Sequence, residues 1–530
     1  MRLWKLKNIM SGFICLCFVL AGCKRDGQHM EPDQSRSPAY SEPHRPQFHF
    51  TPPENWMNDP NGLVYHEGEY HLFYQYNPYG EQWGHMSWGH AVSDDMLHWE
   101  HLPVALEEEN GIMIFSGSAV VDRQNTSGLG TADNPPMVAV YTGHYTDEDN
   151  PRQDQRIAYS LDNGRSWTKY TANPVIDEAM ENFRDPKVIW HTETERWIMV
   201  VALPTRHKVR FYSSPNLLDW KLESEFGPAG ATGGVWECPD LFELPVDGRE
   251  GESRWVLQVD LNPGSVAGGS GGQYFVGSFD GKTFSRDEHA RERTNWVDYG
   301  KDFYAVQSFS NMPDNRRVWL AWMNNWQYAG VIPVKPWRGA MTVPRELGLA
   351  MTEQGPRLYQ QPVPELQQIY KERHQMEDIQ LTAGEDVRHD QLRGTAFRMK
   401  MTVRMEDAKQ FGVRVRKGES EETVIGYDVA QEQLFVDRKK SGEVKVHESF
   451  ADTVQAAPLE TDNQYITLDI LVDHSSVEVF ANEGRRLITN RIFPRAASDR
   501  IELFSRGGTV HIDTLTFWPL KSVWNTAQQQ

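Results

Sequence analysis

Cysteine is scarce in this chain. Its 530 residues hold four, Cys15, Cys17, Cys23 and Cys238. Three crowd the N-terminus, so no disulfide framework staples the body, which must stand on its core and its backbone hydrogen bonds. Positive charge is also in deficit. The 54 Lys+Arg stand against 74 Asp+Glu, a net of −20, which argues against the basic face that phosphate-backbone binding needs. A membrane-spanning run is missing too: the apolar stretch at residues 9–21 is too short for a comfortable span. Against these absences stand 41 Gly and 18 Trp. That usage suits a turn-rich β protein that handles carbohydrate.

The N-terminus opens basic, with Arg2, Lys5 and Lys7, and runs through a short apolar core. That is the pattern of a signal peptide over residues 1–22. It ends Leu20-Ala21-Gly22-Cys23, which resembles the bacterial lipobox. The resemblance implies that Cys23 is lipidated and becomes the new N-terminus. The protein would then sit in the cell envelope, on the outer membrane, touching the membrane through its lipid anchor alone. Residues 23–46 are polar and proline-bearing, and are expected to be a flexible tether.

A repeat runs through the body. Ser-x-Asp, a turn and an aromatic occur at Ser93–Trp99 and Ser160–Trp167. Related phrases stand at Ser213–Trp220 and Ser278–Phe284. Each reads as a tight turn between short apolar strands. A polar phrase precedes each unit, marked by Asp59, Ser116, Asp185, Glu237 and Asp302. Five units of about 60 residues, with no long helical period between them, read as a five-bladed β-propeller over 47–350. A sandwich or barrel with unrelated turns is the alternative. Residues 351–375, with Pro362 and Pro364, are expected to be a linker. Alternating runs over 376–520 read as an antiparallel β-sandwich. The expected fold class is therefore all-β.

In a propeller the openings of the first strands converge, so acids far apart in sequence meet. Asp59, Asp185 and Glu237 are read as occupying equivalent places in three blades. Asp59 and Asp185 precede proline, which favours extended backbone. Crowded carboxyls push at least one pKa upward, giving the acid and carboxylate pair that glycoside hydrolysis needs. Trp56, Trp83, Trp88, Phe115, Trp236 and Trp326 lie near the same turns and offer rings for sugar C–H faces. His85, His90, His98 and His101 lack a third ligand in register, so no metal or other cofactor is expected.

Trp56-Met57-Asn58-Asp59-Pro60-Asn61-Gly62, Arg184-Asp185-Pro186 and Glu237-Cys238-Pro239 together resemble glycoside hydrolase family 32, which holds invertases, inulinases and levanases. Further similarity lies at Phe115-Ser116-Gly117-Ser118, Asp302-Phe303-Tyr304-Ala305, Pro344-Arg345-Glu346-Leu347 and Asp473-His474-Ser475-Ser476-Val477-Glu478. The resemblance implies a propeller plus sandwich, with Asp59 as nucleophile, Glu237 as acid/base and Asp185 as transition-state stabiliser. It places Asn58, Gln75, Trp83, Phe115, Ser116, Arg184 and Trp326 around a fructose unit, and Cys238 against Glu237. The expected substrates are fructan polysaccharide, fructo-oligosaccharides or sucrose, cleaved by double displacement with release of fructose. A sucrose-specific invertase, a fructosyl transferase or an endo-acting fructanase are rivals, as is a fructan-binding lipoprotein without catalysis.

Overall fold

The structure, a computed structural model, describes residues 40–147, 149–249, 251–287, 294–461 and 464–524. The expected signal segment 1–22, the lipidation site Cys23 and most of the tether lie outside them.

Five sheets make the N-terminal half. Their innermost strands are Asn55–His66, Ile112–Val121, Arg184–His191, Val235–Pro245 and Tyr304–Ser308, and successive strands within each sheet pair antiparallel. Each innermost strand packs on the next, and the fifth packs back on the first. That closed ring is a five-bladed propeller. Its closure is also hydrogen-bonded: Trp337–Arg338 joins blade 1 as a parallel strand beside Asn55 and Trp56. Ser310 of blade 5 bridges Val64 of blade 1.

The repeated phrase joins the third strand to the fourth in blades 1 to 4. Asp95 Oδ1 accepts the N–H groups of Leu97 and His98, and Asp280 Oδ1 those of Lys282 and Thr283. Asn216 does the same in blade 3, toward Leu218 and Asp219. The indoles of Trp99, Trp167 and Trp220 each donate to the carbonyl three residues back. Side-chain oxygens of Asp and Asn thus replace ladder partners where the chain reverses.

Two six-stranded antiparallel sheets follow, one running from His374–Leu381 and the other from Asp386–Val387. They enclose an apolar core that includes Phe397, Val413, Leu468 and Leu515. The sandwich docks on the propeller through buried charge. Arg345 Nη1 donates to Asp298 at 3.1 Å and its Nη2 to Glu478 at 2.5 Å. His49 lies between Asp473 at 2.8 Å and Glu478 at 2.7 Å. Gly300 must be glycine here, because a Cβ would lie 2.0 Å from the Thr489 carbonyl oxygen.

Two expected boundaries move. Residues 351–362, expected as linker, contain Gly355–Pro362, the outer strand of blade 5, paired along its length with Arg345–Thr352. Alternating polar residues there mark an edge strand with one wet face, which reads like a linker. The stretch that joins the halves begins at the short 3-10 turn Pro364–Ile369. Residues 40–46 of the expected tether are packed. Arg45 is fully buried, bonded to Glu42, Thr51 and the carbonyls of Pro52 and Pro53. Tyr40 stacks on Trp524 with ring centroids 4.1 Å apart.

Candidate active site

Every innermost strand carries a β-bulge near its opening. Met57 and Pro60 face Tyr76 and Tyr74, so three steps on one strand meet two on its neighbour. The same irregularity falls between Ile114 and Gly117, Arg184 and Lys187, Glu237 and Asp240, and Tyr304 and Gln307. The bulged residues are therefore Asn58-Asp59, Phe115-Ser116, Asp185-Pro186, Cys238-Pro239 and Ala305-Val306. Bulges re-aim side chains and leave backbone groups out of the ladder, so proline fits at positions 186 and 239.

This frame corrects the expectation that the three acids are equivalent. Glu237 is the last paired residue before its bulge, Asp185 the first bulged residue, and Asp59 the second. The shared Asp-Pro dipeptide sits one step apart in blades 1 and 3. Nor is the residue before proline extended in two of the blades: Asp185 has φ 66° and Cys238 φ 46°, both left-handed. Asp302 is not the blade-5 counterpart either; Tyr304 is. Asp302 faces the sandwich, accepting from Arg438 at 2.6 Å and from the Arg491 N–H at 2.8 Å.

The three acids do converge, and Cys238 joins them. Its backbone N–H donates to Asp185 Oδ2 at 2.9 Å. Its sulfur lies 3.7 Å from Oδ2 of both Asp59 and Asp185. Asp59 is buried and accepts from Ser116 Oγ at 2.6 Å and Asn58 Nδ2 at 2.9 Å. Asn58 is oriented in turn by the Trp56 indole at 2.7 Å. Asp185 is held through its N–H, which donates to Thr142 Oγ1 at 3.0 Å. Glu237 receives both Nε and Nη2 of Arg184 on Oε1, at 3.1 and 2.8 Å. The Tyr304 hydroxyl donates to its Oε2. One step past the bulges, Lys187 Nζ bridges Asp240, Gln307 and Ser308, tying blades 3, 4 and 5 together.

The electrostatics follow from burial. Asp59 is pushed above the usual carboxylate range by desolvation, which the Ser116, Asn58 and Cys238 donors oppose. Asp185 is pushed up to about 7, by desolvation first and by the charges of Glu237 and Asp59, against the pull of Arg184. The Cys238 thiol is pushed well above its ordinary value by burial among the carboxyls.

Around the acids, Gln75 is buried and donates to the Ile114 carbonyl at 2.9 Å. Phe115 stacks on His144 at 4.3 Å, and Trp83 meets it edge-on at 6.1 Å. Trp326 stacks on Trp56 at 5.9 Å. Of the six expected aromatics, Trp56, Trp88 and Trp236 are core side chains with almost no exposed surface. Their indoles bond inside the protein, to Asn58, Phe115 and Ala231. Phe115 and Trp326 are partly exposed, and Trp83 is 45% exposed.

The histidines serve structure. His85 pairs with Glu108, His98 with Asp95, and His90 packs on Phe73, while His101 is enclosed by Phe50 and Trp524. Among the described residues no group of three or more His, Cys, Asp and Glu is placed to hold a metal ion. Sequence reasoning did not single out Tyr304 or Asp260. Tyr304 stood inside a quoted motif, in register with Glu237. Asp260 carried no local signal, because only strand pairing sets it opposite Glu237.

Two family models match, described as "Glycosyl hydrolases family 32 N-terminal domain" over residues 49–362 and "Glycosyl hydrolases family 32 C terminal" over 365–519. The chain is 49% identical over 501 residues to a levanase of Bacillus subtilis (strain 168), covering 93% of this chain and 73% of that one. The fold is similar to the crystal structure of exo-inulinase from Aspergillus awamori. That match has a TM-score of 0.85 and 42% identity, over 92% of this chain and 100% of the other. A β-fructofuranosidase from Schwanniomyces occidentalis, complexed with fructosyl-erythritol, matches with a TM-score of 0.83 and 34% identity. It spans 92% of this chain and 99% of its own.

Proposed function

The chain belongs to glycosyl hydrolase family 32, and we propose that it is a retaining β-fructosidase, releasing fructose from the ends of fructans and from sucrose. The names of its relatives support the substrate class. The observation that supports the mechanism is that Cys238, the residue after Glu237, contacts both Asp59 and Asp185, while Asp59 and Glu237 are held by different sets of donors.

Asp59 attacks C2 of the terminal fructofuranosyl unit, while protonated Glu237 gives its proton to the departing glycosidic oxygen. The C2–O bond breaks as the Asp59–C2 ester forms. Glu237, now a carboxylate steadied by Arg184 and Tyr304, takes a proton from water. The resulting nucleophile displaces Asp59 from C2 and frees fructose. Ser116 and Asn58 keep Asp59 in its attacking form against the pull of burial. Asp185 holds ring hydroxyls beside C2, and Gln75, Trp83, Phe115 and Trp326 wall the sugar. The reaction draws on side chains alone.

The lipobox-like Leu20-Ala21-Gly22-Cys23 supports a second part of this reading, an outer-membrane lipoprotein anchored through the Cys23 sulfur. Cys23→Ala then moves the protein from the membrane to the soluble fraction. An unchanged membrane fraction removes the anchor from the proposal.

Chromatography of early digests of levan, inulin and sucrose tests the activity. Free fructose as the first product from the polymers is expected. Oligosaccharides without free fructose mean endo action, and fructan affinity without new reducing ends means a binding protein. Asp59→Ala and Glu237→Ala are each expected to abolish turnover with the circular dichroism of the fold unchanged; wild-type turnover in either sinks the assignment.

A further inference from the structure

Behind Glu237 lies a fourth carboxyl that the reaction as described does not use. Asp260, on the second strand of blade 4 (Ser253–Asn262), stands directly opposite Glu237 across the ladder. It is fully buried. Its Oδ2 accepts the backbone N–H of Val306 at 3.0 Å. Val306 lies in the bulge of blade 5, two residues beyond Tyr304, whose hydroxyl donates to Glu237.

The other oxygen lies beside the Gln258 side chain, whose amide opposes the upward push on the Asp260 carboxyl. The two side chains are close: a Cβ built on Gly272 would lie 2.6 Å from Asp260 Oδ1 and 3.3 Å from Gln258 Nε2. No lysine or arginine among the described residues pairs with Asp260. A carboxylate buried without a cation is costly. Burial and the charges of Asp59 and Glu237 push the Asp260 carboxyl well above its ordinary range.

We propose that Asp260 is a positioning residue for Glu237: it pins the blade-5 bulge through Val306 and so keeps the Tyr304 hydroxyl on Glu237. The inference rests on the reading of Glu237 as acid/base. Glu237 is faced by Arg184 and Asp185 from blade 3, Tyr304 from blade 5, Asp59 from blade 1 and its neighbour Cys238. An ionised Asp260 would add another negative charge to that group, and a neutral one does not.

The test compares two variants on sucrose. Asp260→Asn keeps the acceptor for Val306, so kcat remains within about twofold. Asp260→Ala removes the pin, so kcat falls about tenfold with KM little changed. Adding Asp260→Ala to Tyr304→Phe costs no more than Tyr304→Phe alone. A wild-type kcat in Asp260→Ala overturns the proposal. So does an Asp260→Asn kcat as low as that of Asp260→Ala, which would mean that charge matters rather than the pin. Glu237→Gln run in parallel separates the two readings: if it turns over normally, the acid/base assignment has failed, whatever Asp260 does.

Discussion

The backbone N–H of Cys238 donates to Asp185 Oδ2 at 2.9 Å. The residue next to Glu237 is thereby fastened to the neighbouring blade, and its left-handed backbone, φ 46°, is what turns that N–H toward the axis. The bond belongs to the main chain, so it survives any change of the thiol.

Cys238→Ala should therefore keep the fold and retain turnover, with kcat lowered about tenfold by loss of the S–H donor between Asp59 and Asp185. In the wild type the thiol is enclosed and its pKa is pushed up, so little thiolate is present to react. Iodoacetamide should leave Cys238 unmodified in the native enzyme and alkylate it in guanidinium, as read by peptide mass spectrometry. Fast native labelling would contradict the enclosed site.

Ser116 sets how far Asp59 is held ionised. Burial raises the Asp59 carboxyl, and the Ser116 hydroxyl at 2.6 Å pulls it back down. Ser116→Ala removes the opposing donor, so the acidic limb of kcat/KM moves to higher pH. Activity at pH 5 should fall about tenfold more than activity at pH 7. An unmoved acidic limb would show that Ser116 does not govern the nucleophile.

Arg184 reaches one oxygen of Glu237 with two nitrogens, at 3.1 and 2.8 Å. Lysine offers a single point charge and no fork. Arg184→Lys should lower kcat by about 10- to 100-fold, the worth of one or two charge-assisted hydrogen bonds, and leave thermal stability nearly unchanged. Loss of Tm with intact kcat would mark Arg184 as a purely structural residue.

His49 makes the docking of propeller and sandwich pH-dependent. It is buried between Asp473 and Glu478, whose hydrogen bonds raise its pKa to about 8 against the cost of burial, the largest single effect on it. A raised histidine contributes stability that is fully present below its unfolded value of about 6.5 and is lost as pH climbs through about 8, on the order of 2 kcal/mol in all. Thermal unfolding between pH 6 and 9 should show this alkaline loss, and His49→Gln should flatten it. An identical slope in the variant would assign the loss elsewhere.

Much of the fold was legible because the chain repeats its punctuation. The Asp and Asn turns capped by Trp99, Trp167 and Trp220 recur in the first three blades, with a related turn in the fourth, and local side-chain chemistry is what a sequence displays. The three converging acids were legible as residue types. Their geometry was not: Asp-Pro looks the same on either side of a bulge, and the bulge exists only once a neighbouring strand fixes the count. Asp185 and Cys238 turn left-handed before proline for the same reason. Asp260 was silent, since a buried acid on a β-strand gains meaning only from what faces it. Gly355–Pro362 and residues 40–46 misled in the opposite way, looking solvated where edge pairing and the burial of Arg45 had claimed them.

The ring and its partner domain are both fastened by residues from the start of the chain. Trp337–Arg338 completes blade 1 beside Asn55 and Trp56, and His49 waits for Asp473 and Glu478. During synthesis the earliest described segment thus lacks its final partners until nearly the whole polypeptide has emerged. Long-range pairing of this kind slows folding, and a chain that is slow to close stays thread-like for longer.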